Sequence, residues 1–88
     1  MKIVDGFAVR EVAGKCVAIA ARGKAMALGG MIALNETGEL LFSLLMEGTT
    51  KEKMADTLIK TYEIDKATAE KDVSAFLAPL YEANLIEE

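Results

Sequence analysis

The chain has 88 residues with a formal net charge of −4; 52% of its residues are hydrophobic and 27% charged, with no histidine and one cysteine. That is one domain, near the lower limit of what buries its own core, and apolar enough to fold rather than stay disordered. The longest uncharged apolar runs, Cys16 to Ala21 and Ala25 to Leu34, fall well short of the ~20 residues that cross a bilayer.

In chain order, Met1 to Phe7 reads MKIVDGF, where Asp5 interrupts the apolar region a signal peptide needs, so the expected location is the cytoplasm. The sequon at Asn35 is without consequence there. Phe7 to Val12 and Cys16 to Ala21 are two runs rich in valine and isoleucine, separated by Ala-Gly-Lys, and predict a β-hairpin. Val17, Ile19 and Ala21 share one face of its second strand. Cys16, without a partner for an intrachain disulfide, reads as a small residue in a half-buried strand. Glycines 23, 29 and 30 mark a turn and a backbone position suited to positive φ, and Met31 to Asn35 follows as a third strand. Three strands joined this way make an antiparallel meander with two open edges.

After Leu34 the apolar period lengthens from two toward 3.6. Leu40, Leu41, Leu44 and Leu45 define a helix, with Asn35 as its N-cap, Glu36 and Glu39 at the positive end of its dipole, and Gly48 as its stop. Gly38 is out of place inside a helix, which points to something packed on its bare backbone. Thr49 and Glu52 have the spacing of a capping box for a second helix, whose apolar face is Met54, Ala55, Leu58, Ile59 and Tyr62. A third helix begins after Asp65, with Ala69, Val73, Phe76, Leu77, Leu80 and Tyr81 on one face and Asn84 as its stop. Pro79 breaks its pattern, so that this helix either kinks or restarts there. The expected fold is α+β: a three-stranded antiparallel sheet followed by three helices, residues 1–88 forming one domain.

The chemistry is limited. Without histidine the usual proton carrier near neutral pH is missing, and a lone cysteine cannot build a zinc site. Neither Gly-Lys pair has the spacing or the following hydroxyl of a phosphate-binding loop. The chain reads as a binding protein, not an enzyme, with no cofactor and no metal. Three helices and a small sheet suit a winged helix-turn-helix, and a DNA-binding or regulatory role is the alternative reading. Charge opposes it: up to Leu34 there are five basic and two acidic side chains, beyond it five basic and twelve acidic, and the second and third helices offer no excess of positive charge to a duplex. The other mode is an extended peptide added to the open sheet edge.

Three segments carry a family likeness: GFAVREVAGKCVAIA, then GMIALNETGELLFSLL, then EGTT through Asp65, Ala69, Asp72, Val73, Phe76, Leu77 and Leu80. From about Gly6 to Leu85 the chain resembles the PqqD family and the wider group of RiPP precursor peptide recognition elements. The resemblance implies a winged-helix-like, non-catalytic peptide chaperone. It would bind the leader of a ribosomally made precursor peptide and present it to a radical SAM or other peptide-modifying enzyme. It also implies that the leader joins the sheet beside the third strand, here Met31, Ile32, Ala33 and Leu34, against a helix wall of Val73, Phe76, Leu77 and Leu80. Partners are then that peptide and that enzyme, with no nucleic acid or membrane, and the protein is a monomer or a homodimer. Pro79 and the uncharged Ala27–Gly30 segment depart from the family pattern. The basic first half suits an acidic leader.

Overall fold

The computed structural model describes residues 1–21, 23 and 31–88. Their order is β1 (Lys2–Ile3), β2 (Phe7–Val12), β3 (Lys15–Ala20), β4 (Met31–Leu34), α1 (Glu36–Glu47), α2 (Lys51–Tyr62), α3 (Lys66–Glu82) and β5 (Ile86–Glu87). The expected three-stranded antiparallel sheet is present in the order β2-β3-β4 and is followed by the three helices, an α+β arrangement compatible with a winged helix. Gly23 has φ +60°, whereas the turn expected around glycines 29 and 30 lies outside the described residues.

The β2–β3 hairpin is tighter than Ala-Gly-Lys suggests. Val12 pairs with Lys15, so the loop is Ala13-Gly14 alone, both at positive φ (54° and 79°), and Lys15 belongs to the strand. Two such residues make the turn whose twist matches a right-handed ribbon. Register then assigns the faces: Phe7, Val9, Cys16, Ala18, Ile32 and Leu34 share one, while Arg10, Val17, Ile19, Met31 and Ala33 share the other. The first of these packs on the helices.

Each helix is held at its start by a side-chain oxygen that accepts from the backbone. Asn35 accepts from the N–H of Gly38 at 2.7 Å, Thr50 from Lys53 at 3.1 Å, and Asp65 from Thr68 at 2.7 Å. The capping box expected at Thr49 and Glu52 is therefore displaced by one residue. Thr49 is buried and its N–H donates to the Met1 carbonyl at 2.8 Å, which leaves Thr50 at the helix boundary. With Lys53 at the third helical position no acidic side chain returns the bond, so this is a simple cap. Helix α1 stops at Gly48, whose φ of 101° suits glycine. Helix α3 passes through Pro79 to Glu82 as one element, which excludes a restart, and Asn84 follows it at φ +59°.

A second, two-stranded sheet escaped the sequence reading: β1 pairs antiparallel with β5, Lys2 opposite Glu87 and Ile3 opposite Ile86, and Val4 donates to the Leu85 carbonyl at 2.9 Å. Strands of two residues are too short to show a period. They matter because they bring Ile3, Val4 and Leu85 into the core beside Leu41, Phe42 and Leu45 of α1, Met54 and Leu58 of α2, and Val73 and Leu77 of α3. Phe7 ties the sheet to this cluster, its ring meeting Phe42 edge-on at 5.5 Å and 87°.

Candidate functional site

Among the described residues β4 pairs only with β3, so one side of it is an open edge. The hairpin fixes which of its residues offer their backbone there. In a two-residue hairpin the closing pair, Val12 and Lys15, exchanges hydrogen bonds, and bonding direction alternates along a strand. Lys15, Val17 and Ile19 therefore point to β2, in agreement with the Ala21 N–H, which donates to the Gly6 carbonyl at 2.7 Å. Cys16 and Ala18 point to β4, where they face Leu34 and Ile32. The backbone groups of Met31 and Ala33 are the ones left over, directed away from the sheet.

Beside this edge runs a groove of about 870 Å³. Cys16, Ile32, Ala33 and Leu34 form its sheet side, Asn35, Gly38 and Glu39 its end at the start of α1, and Ala75, Phe76, Pro79 and Leu80 its α3 side. Alternation along β4 explains the sheet side, since Ile32 and Leu34 turn their side chains toward the helices. Gly38 explains the width at the α1 end: a Cβ there would stand 3.6 Å from both the Phe76 ring and Leu34 Cδ2, and only 3.2 Å from Asn35 Oδ1. The glycine that looks misplaced in a helix lets cap oxygen, strand and aromatic ring meet over bare backbone.

The groove is apolar within and charged at its rim, where Lys15 stands with Glu36 and Glu39. Burial, then the negative charge of Glu39 and a hydrogen bond to it, push the Cys16 thiol up. The half-buried Cys16 adds surface to the sheet side of the groove. No group of three or more potential metal ligands occurs among the described residues, nor is any described helix long and apolar enough to cross a membrane.

Of the eight residues singled out from the sequence, the structure gathers Ile32, Ala33, Leu34, Phe76 and Leu80 at the groove. Met31 lies at the far end of β4, 64% exposed, and meets the edge through its backbone. Val73 and Leu77 do not line the groove. They are 2% and 1% exposed in the shared core, because the α3 stripe is broad enough to face α2 and the sheet at once. Cys16, Ala75, Pro79 and the α1 start were not assigned to a site from sequence. Pro79 carried a signal, as the residue that broke the helical pattern, but only the packing of α3 against β4 turns it into a groove residue.

The site is thus an open-edged small sheet facing a helix across an apolar groove. The family described as coenzyme PQQ synthesis protein D (PqqD) matches residues 15–86, and the chain belongs to that family. Among solved structures it is similar to TbiB1 in complex with the TbiA(beta) leader peptide, at 29% identity and a TM-score of 0.76, covering 99% of this chain and 95% of that one. It shares the fold of lasso peptide synthetase B1 complexed with the leader peptide, at 24% identity and a TM-score of 0.72, covering 96% and 93% of the two chains. No curated protein matches the chain at a significant level.

Proposed function

We propose that this protein is a non-catalytic peptide chaperone, which binds the leader of a ribosomally made precursor peptide as an added strand on β4 and presents it to a peptide-modifying enzyme. The observation that carries this reading is the row of outward backbone groups at Met31 and Ala33 along an apolar groove. Main-chain bonds to such an edge supply affinity for any extended segment, and pockets for alternate side chains supply selectivity. The likeness to a leader-bound relative at 29% identity supports the same occupant. The enzyme partner is proposed to be a radical SAM enzyme, as the PqqD membership of the chain suggests. Binding orders a flexible leader while it buries apolar surface, so it carries a negative heat-capacity change and an unfavourable entropy.

The test is calorimetric titration with the leader segment of a short precursor peptide encoded in a neighbouring reading frame. Ala33→Pro removes an outward N–H and places a ring on the edge, and is expected to weaken binding about tenfold or more. Ile32→Pro breaks the β3–β4 ladder itself and is expected to destabilise the fold. A leader that binds Ala33→Pro as tightly as the wild type contradicts strand addition. Two copies pairing through β4 would occupy the same groups, and sedimentation with saturating leader distinguishes the two, since a leader-bound protein is then monomeric.

A further inference from the structure

Pro79 lies inside α3, which continues through it to Glu82. Its ring nitrogen carries no hydrogen, so the carbonyl of Ala75, one helical turn earlier, has no α-helical donor. Helical carbonyls point along the axis toward the residue four ahead, and residues four apart lie on the same face. Here that face is known. Ala75 and Pro79 are both exposed, and both line the groove across from Ile32 and Leu34. The acceptor that Pro79 releases thus belongs to the face of α3 that lines the groove, and no side chain among the described residues hydrogen-bonds to it.

Resting on the strand-addition reading above, we infer that the Ala75 carbonyl is a specificity-determining acceptor for the bound peptide. A guest strand on β4 turns every second side chain to the face that Ile32 and Leu34 share, which is the face directed at α3. Ile32, Leu34, Phe76 and Leu80 surround such a side chain with apolar surface, so the favoured one has an apolar stem. Its tip meets the released carbonyl, so that tip is an O–H or N–H donor. A donor-free side chain of the same shape fills the space but leaves the acceptor stripped of water and unpaired, which is the costly outcome. Pro79 thus converts an apolar wall into one that selects for a donor at one position of the guest.

The experiment uses a displayed library of random peptides about as long as an edge-binding strand with flanks, panned on the wild type and on Pro79→Ala. Alanine restores the N–H, closes the helical bond to Ala75 and is the better helix former, so folding is not at risk. Peptides selected on the wild type are expected to carry, at one fixed position, donor-ended side chains over donor-free counterparts, threonine over valine or tyrosine over phenylalanine. Peptides selected on Pro79→Ala are expected to lose that bias. For one selected peptide, removing the donor is expected to cost about fivefold in affinity on the wild type and nothing on Pro79→Ala. The Ala75 carbonyl ¹³C resonance is expected to move downfield when that peptide binds the wild type. Recovery of peptides that Ala33→Pro abolishes, but with equal donor content on both proteins or with additive effects, overturns the acceptor and leaves strand addition standing. If no recovered peptide is sensitive to Ala33→Pro, both fall.

Discussion

Ala33 lies directly opposite Val17 across the β3–β4 ladder, yet its backbone N–H and carbonyl face away from Val17 and out of the sheet. The parity set at Ala13-Gly14 is carried across β3 into β4. Amide exchange of the free protein should therefore divide β4 by alternation, with Ile32 and Leu34 protected and Met31 and Ala33 fast. On peptide binding, the Ala33 amide should slow by at least the factor that separates an open from a bonded strand position. Protection of Ala33 in the free monomer would show the edge already engaged.

Gly38 makes a second prediction, because the room above it is shared by three groups. Gly38→Ala sets a favourable helix propensity of up to about 1 kcal/mol against pressure on the Asn35 cap, and is expected to change stability by less than about 0.5 kcal/mol. Gly38→Val adds methyl groups against Leu34 and the Phe76 ring, and is expected to cost about 1–3 kcal/mol. Denaturant midpoints for the pair check this. A valine variant as stable as wild type would mean that Phe76 does not rest on this backbone.

At the hairpin tip the chain accepts a local cost. Ala13 is exposed and holds φ +54°, a conformation that glycine adopts without the clash of a Cβ. Ala13→Gly is expected to raise stability by about 0.5–1 kcal/mol, measured by thermal or denaturant unfolding, without changing the register of β2 on β3.

Acid should act on the start of α3. A hydrogen bond from the Thr68 side chain, then one from its backbone, holds the Asp65 carboxyl below the usual carboxylate range. Folding therefore favours the charged form: its contribution is fully present above the unfolded value and is lost as pH falls through the lowered folded value. Asp65→Asn keeps a capping oxygen but does not titrate. The stability of the wild type relative to Asp65→Asn should be constant near neutral pH and decline only in the acid range below about pH 5. A difference that changes near pH 7 would point to another group.

Local patterns were legible where the physics is local. Asn35 caps α1 and α3 starts after Asp65 as their positions suggest, and Gly48 ends α1. Of the apolar stripes, Leu41, Leu45, Met54, Ala55 and Leu58 are buried, Leu40, Leu44, Ile59 and Tyr62 are half-buried, and the buried Phe42 lies outside the stripe read for α1. The cap of α2 was misplaced by one residue because the bond that draws Thr49 inward comes from Met1, forty-eight residues away in the chain. The same limit hid β1 and β5, which are too short to carry a pattern and exist only because they pair with each other.

The sequence by itself determined the three strands of the larger sheet, the three helices and their order, since propensity, capping and apolar period act over a few neighbouring residues. Only the tertiary structure decided which backbone groups of β4 face outward, that Phe76 and the buried Leu80 line the groove while Val73 and Leu77 do not, and that Pro79 stands across from that edge. Those facts depend on register and on the approach of one element to another, and neither is encoded in the spacing of residues along a single segment.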